Sequence, residues 1–404
     1  MWTWLTETAQ GATWRLIGRI FLKGGALFVL ANAIFALLDP LPLIGRVSLY
    51  NGVVRGRARL PYGENPAQSY NLSLASVEAL FAAHEIDGAP KAADEYRVLV
   101  MGDSSVWGVL LQPDETLSAY LNAFRLTLPD GRRLRAFNLG YPVQSAAKDL
   151  LLLDYAARYQ PDLILWLITP ESLALDVQMA TQLVRENPAR ARALIARHGL
   201  RSLRSDDPRF VDPDFFGRTI IGRRRQLADW LRLQLYGVLW ALSGVDQQYP
   251  RFYEPRMEDF PDDMPQTWHG QAPPTLDAEQ LALDLLSGGA QIAESVGAAL
   301  LIVNEPVFIS AGKNSALRYN FFYPRWALDE ARARLREASE GAPWAYRDFW
   351  NAIPSSQFTD SAVHLTPQGS RQVAELVARA ISETAGEANV RRREALRLSE
   401  NVLK

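Results

Sequence analysis

Short apolar runs separated by helical segments constrain this chain more than any other feature. Residues 98–101, 134–139, 163–168 and 300–303 are brief and apolar, as parallel strands buried on both faces must be. A shorter run at 344–347 supplies a last strand. Between these runs, 115–127, 146–159 and 277–296 carry leucines at helical spacing. Strands alternating with helices predict an α/β fold with a mostly parallel sheet and right-handed crossovers, in which ligands sit beyond the carboxyl ends of the strands. Ser104, Gly140, Thr169 and Asn304 all follow such ends.

The stretch 96–107, YRVLVMGDSSVW, breaks from an apolar run into Gly102-Asp103-Ser104. A strand that ends in a small-residue turn holds a serine hydroxyl at the sheet edge, open to a substrate. Gly-Asp-Ser is also ordinary turn chemistry, so a second signal is needed. It comes from 358–369, FTDSAVHLTPQG, where one of the four histidines follows an aspartate in a loop. A serine hydroxyl becomes a useful nucleophile when an imidazole takes its proton, and a carboxylate commonly orients that imidazole. Ser104, His364 and Asp360 supply the three types. Thr366-Pro367 reads as the cap and first position of a helix, so His364 is equally a residue at a loop-to-helix junction.

With these segments in the order strand-GDS, glycine block, then late aspartate and histidine, the chain resembles the SGNH (GDSL-type) hydrolase superfamily. The resemblance covers roughly residues 96–383 and rests on short motifs. It implies a flavodoxin-like three-layer sandwich in which Ser104 attacks an acyl ester and the backbone amides of Ser104 and Gly140 bind the oxyanion. It also implies that Asp103 belongs to the motif turn. Two departures stand out. The family's Asp-x-x-His spacing is one residue longer here, Asp360-Ser361-Ala362-Val363-His364, with Ser361 at the expected acid position. Asp348 and Glu305 are other carboxylates that the role leaves open. The family's third-block asparagine is missing, and the corresponding strand runs into Thr169-Pro170-Glu171-Ser172. Thr169, Ser172 and Asn304 are alternative third oxyanion donors, and losing such a donor costs roughly 3 kcal/mol of transition-state stabilisation.

A formal net charge of −2 argues against nucleic-acid binding through phosphate neutralisation. The absence of cysteine excludes disulfides, thiolate catalysis and cysteine metal sites. No His/Asp/Glu spacing resembles a metal cluster and no phosphate loop is visible, so the chemistry requires no cofactor.

Residues 17–38 form an apolar stretch interrupted by Arg19, Lys23 and Asn32, close to the roughly 20 residues that a bilayer crossing needs. Arg15, Arg19 and Lys23 can snorkel, and Trp2, Trp4 and Trp14 favour an interface. A single-pass anchor is the preferred reading; a cleaved signal sequence, with Ala31-Asn32-Ala33 as the cleavage site, is the rival. Arg46, Arg55, Arg57 and Arg59 partly offset the basic residues before the stretch, and the catalytic domain is expected outside the cytoplasm. The expected divisions are an N-terminal segment at 1–38, a connector at 39–95 with a helix at 74–84, a catalytic domain at 96–386 and a charged tail at 387–404.

An insertion at 173–274 interrupts the catalytic domain. Within it, Arg223-Arg224-Arg225 precedes an apolar helical face from Leu227 to Leu242, which suits either a membrane surface or a lid or packing helix. Residues 62–66 read as a turn, 255–274 as a surface loop and 319–326, YNFFYPRW, as either a cleft wall or core packing. Together these features imply a membrane-anchored serine acyl-ester hydrolase acting on an O-acyl ester of an envelope glycan or lipid. With a sugar hydroxyl in place of water, the same residues give an O-acyltransferase for exported polysaccharide. The non-enzymatic alternative is a glycan-binding or assembly protein on the same scaffold.

Overall fold

The computed structural model describes residues 14–47, 49, 56–62, 76–245 and 252–402. Trp2, Trp4, Arg55 and the turn at 63–66 lie outside them.

Five strands form one parallel sheet: β1 (Glu95–Met101), β2 (Arg133–Asn138), β3 (Leu163–Ile168), β4 (Ala299–Asn304) and β5 (Ala345–Asp348). Their spatial order is β2-β1-β3-β4-β5, the flavodoxin-like arrangement, so the apolar runs are strands of an α/β fold. The helices are, in chain order, α1 (Trp14–Leu38), α2 (Leu41–Arg46), α3 (Val77–Ala83), α4 (Ser104–Trp107), α5 (Leu117–Ala123), α6 (Ala146–Ala156), α7 (Pro170–Leu173), α8 (Gln182–Arg185), α9 (Pro188–His198), α10 (Arg224–Ser243), α11 (Asp284–Ser295), α12 (Arg325–Ser339) and α13 (Pro367–Val402).

Strand residues alternate between two cores. Val98, Val100, Leu165 and Val303 share one with Leu121 of α5 and Val377 of α13. Leu99, Ile164 and Trp166 share the other with Leu150 of α6 and Leu286 of α11. Because successive strand side chains point to opposite faces and both faces are covered, a continuous apolar run rather than an alternating one is required. Each fully buried aliphatic side chain contributes about 1.5–3 kcal/mol, so both faces of the sheet hold it to its helices.

Several helices are shorter than the leucine spacing predicts. The helix expected over 115–127 ends at Ala123, where Arg125 takes a left-handed φ of 50° and the chain doubles back through the Leu134 N to Leu126 O bond. The one expected over 277–296 starts at Asp284, because Ala282 N is drawn to Leu173 O. The helix after His364 carries on through the charged tail to Val402.

The connector is packed against the sheet's edge rather than detached. His84 is buried with Nε2 2.9 Å from Asn138 O, and burial lowers its pKa to about 4. Arg59, fully buried, donates to Gly108 O at 2.8 Å and Leu111 O at 3.0 Å and lies 4.7 Å over the Trp107 ring. These contacts brace the turn that follows α4. The region 255–274 has little regular structure but is firmly held: Phe260 and Trp268 are buried, and Arg256 donates to Phe358 O at 2.6 Å and Ser355 O at 2.8 Å. It is thus a brace for the segment before His364 more than a loose surface loop.

Among the described residues, one helix is long and apolar enough to cross a bilayer, Leu16–Leu38. Its 23 residues give about 34 Å of helix against the roughly 30 Å of a hydrocarbon core. Phe21, Leu22, Leu27, Val29 and Leu38 are all exposed, so α1 is not a core helix of the α/β unit.

Candidate active site

The site lies beyond the carboxyl ends of β1 and β3, where the strand order reverses. β1 ends at Met101 and the chain turns at Gly102, whose φ of 152° lies outside the range that side chains favour. A Cβ there would meet Val106 Cγ2 at 2.6 Å and Leu167 O at 3.0 Å, so only glycine fits. Asp103 then caps α4, its Oδ1 accepting from the Ser105 amide at 2.8 Å. That is a turn role, consistent with its exclusion from the acid position. Ser104 is left as the first residue of α4.

The late segment meets it. The Ser104 Oγ lies 2.8 Å from His364 Nε2, and His364 Nδ1 lies 2.8 Å from Asp360 Oδ1. These groups are 260 positions apart in sequence. The extra residue between Asp360 and His364 is taken up by a closed loop: Thr359 N donates to His364 O at 2.9 Å, while Ala362 and Val363 turn inward and are buried. Asp360, and not Ser361, therefore reaches the ring. Burial raises the Asp360 carboxyl, but the hydrogen bond from His364, its charge, Asp360's own backbone amide and the Thr359 hydroxyl together hold it below the ordinary aspartate value. It stays ionised at neutral pH, as a group that orients an imidazole must. The other two carboxylates are engaged elsewhere. Asp348 is bonded to Arg332 at 2.7 Å and Asn304 at 2.8 Å, and Glu305 is bonded to the Ser105 hydroxyl. Burial and the nearby Asp103 charge push Glu305 well above the ordinary glutamate value.

The loop after β2 departs from the expected oxyanion arrangement. Leu139 N and Tyr141 N bond to Val100 O and Gly102 O at 2.8 and 3.0 Å, laying the loop against α4. Gly140 is pressed so close that a Cβ would lie 2.4 Å from Trp107 N. Its amide, however, donates to Asn138 Oδ1 at 3.0 Å, while Asn138 Nδ2 donates to Val106 O at 2.8 Å. Gly140 thus fits as a contact that lets the loop approach, with its N–H already engaged. Further along, Val143 has a left-handed φ of 77°, unusual for a β-branched residue. Among the described residues, neither the Val143 nor the Ser104 amide has a hydrogen-bond partner.

Of the three alternative donors, Ser172 and Asn304 donate elsewhere, and Thr169 serves as an acceptor. Thr169 Oγ1 accepts from Ser172 N and Ser172 Oγ accepts from Thr169 N, both at 3.3 Å, a reciprocal cap on α7, and Ser172 Oγ donates to Thr169 O at 2.7 Å. Asn304 Nδ2 donates to Asp348 Oδ1 at 2.8 Å. Gln144, unmarked in the sequence reading, has its Nε2 3.5 Å from Thr169 Oγ1. Since β1 lies between β2 and β3, a side chain that reaches from the β2 loop to the end of β3 passes over the end of β1, where Ser104 sits.

Behind the site stands Lys148, buried on α6. Its Nζ donates to Gly102 O at 2.9 Å and Tyr141 O at 2.7 Å, and pairs with Asp149 Oδ1 at 2.6 Å. One cation thereby ties the serine turn to the neighbouring loop. On the far side, His269 is held between Glu171 Oε1 at 2.9 Å and Asp176 Oδ1 at 2.7 Å, and Trp268 Nε1 donates to Glu171 Oε2 at 3.1 Å. The aromatic stretch 319–326 is mainly packing: Tyr319 stacks edge-on against Trp350, and the buried Tyr323 hydroxyl accepts from Glu171 N at 2.8 Å.

The α/β sheet with a serine, histidine and aspartate joined at its switch point defines the structural class of this chain. Among solved structures it is similar to a GDSL-like lipase from Bacteroides thetaiotaomicron VPI-5482, at 11% identity over 76% of this chain and 98% of that one, TM-score 0.37. It is also similar to a carbohydrate acetylesterase family member from Sinorhizobium meliloti, at 11% identity over 72% and 99%, TM-score 0.32. An M. smegmatis aryl esterase matches at 12% identity over 71% and 99%, TM-score 0.32. No family model and no curated protein matches the chain.

Proposed function

We propose that this chain is a membrane-tethered serine acyl-ester hydrolase of the SGNH type. The observation that supports it is the pair of 2.8 Å bonds that link Ser104 Oγ, His364 and Asp360 in series. His364 Nε2 takes the Ser104 proton as Oγ bonds to the ester carbonyl carbon; Asp360 holds the ring and steadies the imidazolium. The oxyanion is received by the Ser104 amide, by the Val143 amide in place of the engaged Gly140 N–H, and by the Gln144 side-chain amide. Collapse expels the alcohol, protonated by His364, and leaves an acyl group on Ser104. Water, giving a proton to His364, then releases the acid and regenerates the serine. A sugar hydroxyl in the water's place gives acyl transfer by the same steps.

With α1 in a bilayer and the α/β unit outside the cytoplasm, esters of envelope glycans or lipids are the accessible substrates. A serine-directed fluorophosphonate probe tests the reading. Wild type labels, whereas Ser104→Ala and His364→Ala do not, at unchanged unfolding midpoints. A folded wild type that never labels overturns it in favour of a binding role. In acetyl-ester assays, free acetate without an acceptor marks a hydrolase, and dependence on an added glycan marks a transferase.

A further inference from the structure

Among the described residues, none covers one face of the insertion helix α10. Ala228, Leu231, Leu235, Leu239 and Leu242 follow one another at three- and four-residue steps, and the four leucines are between 53% and 68% exposed. Such a stripe occupies one side of a helix. The opposite side is seated: Leu233 packs against Ala83, and Trp230 Nε1 donates to Ile44 O at 3.0 Å. Gln234 Oε1 accepts from Leu49 N at 2.7 Å. Four arginines stand against one aspartate over 223–232, and among the described residues Arg225 and Arg232 have no carboxylate partner.

What lies beside this face is fixed by α1. Asn32, within the apolar helix, accepts from the Ile221 amide at 3.1 Å and donates to Phe28 O at 2.9 Å. It stands six residues before Leu38, about 9 Å along the axis from the helix end. Ile221, which closes the segment 215–221 with its 76% exposed Phe216, is therefore held below the end of the spanning helix. Leu43, Val47 and Leu49, all exposed, continue the apolar surface from α1 toward α10. That depth falls within the roughly 5–10 Å to which interfacial helices bury their apolar face.

We propose that α10 and the 215–221 segment form a second membrane contact, lying in the interface of the bilayer that α1 crosses. The leucine stripe and Phe216 enter the acyl layer, and Arg225 and Arg232 reach lipid phosphates. The inference rests on α1 being an anchor. Two attachments hold the α/β unit in one orientation at the lipid surface, where a single helix alone would leave it swinging.

The chain has no cysteine, so single cysteines at exposed positions label cleanly. Full-length protein in lipid nanodiscs would carry an environment-sensitive fluorophore at Leu30→Cys in α1, at Leu235→Cys or Leu239→Cys on the stripe, or at the exposed Ala278→Cys. Bromine-labelled acyl chains quench Leu235→Cys and Leu239→Cys several-fold more than Ala278→Cys, while aqueous iodide does the reverse. If Leu30→Cys is quenched by the lipid but the stripe behaves like Ala278→Cys, the second contact is refuted while the anchor stands. If Leu30→Cys also behaves as an aqueous site, the anchor fails and the inference with it. Stripe labels shielded from both quenchers overturn it in favour of contact with a second copy.

Discussion

Replacing Lys148 with methionine keeps the stem of the side chain and removes the cation behind the serine turn. The loss has two parts. Asp149, buried and bonded to Trp166 Nε1 at 3.0 Å, is left as an uncompensated carboxylate, and breaking such a pair from one side costs about 3–5 kcal/mol. The carbonyls lose a charged donor, but unequally, because Gly102 O keeps its bond from Tyr141 N at 3.0 Å. In Lys148→Met/Asp149→Asn the buried charge is gone while Asn retains an acceptor for Trp166. Mainly Tyr141 O is then orphaned, at about 1–3 kcal/mol. The double variant is therefore expected to recover about 2 kcal/mol relative to the single one.

The pH dependence adds a sign. Burial raises Asp149 to about 6 against the lowering charge and hydrogen bond of Lys148. Between the ordinary 3.8 and about 6, the folded state binds more protons than the unfolded one, so stability falls as pH rises through that window. Without Lys148 the folded value moves further up, and the deficit of the single variant grows from pH 5 to pH 8. Urea unfolding in detergent, followed by tryptophan fluorescence, measures all of this. The reasoning is refuted by a deficit below about 1 kcal/mol at pH 7, by one that is flat with pH, or by a double variant no better than the single.

Asp360→Asn keeps the fold and lowers fluorophosphonate labelling and turnover by about 10⁴-fold, the scale of a triad that has lost its orienting charge; near-wild-type turnover would assign the acid role elsewhere. Gln144→Ala lowers kcat by about 10²–10³-fold with little change in KM or unfolding midpoint if its amide meets the oxyanion, and an unchanged kcat removes it from the site. Burial lowers His269, but the bonds and charges of Glu171 and Asp176 outweigh it and bring the value to about 9, above the ordinary 6.5. Its stabilisation is thus complete below about pH 6.5 and lost as pH rises through 9, so His269→Gln should flatten the wild-type decline in unfolding midpoint across that range.

The five strands were legible from the chain alone because a strand buried on both faces must be a short apolar run, and that requirement is local. The serine turn was equally local, since Gly102 and the Asp103 cap act within four residues of Ser104. Resemblance suggested that His364 and Asp360 would join it; the folded chain brings the three within hydrogen-bonding distance. What tertiary structure alone decided is which polar groups remain free. Gly140 looked available until Asn138 claimed its amide, and Ser172 and Asn304 give a hydrogen to Thr169 O and to Asp348. Nothing in the spacing singles out Lys148, which is buried behind the turn. Gly140 and Thr169 meet their partners two and three residues away, whereas Asn304 and Lys148 meet groups from other strands and loops, of which sequence spacing carries no record.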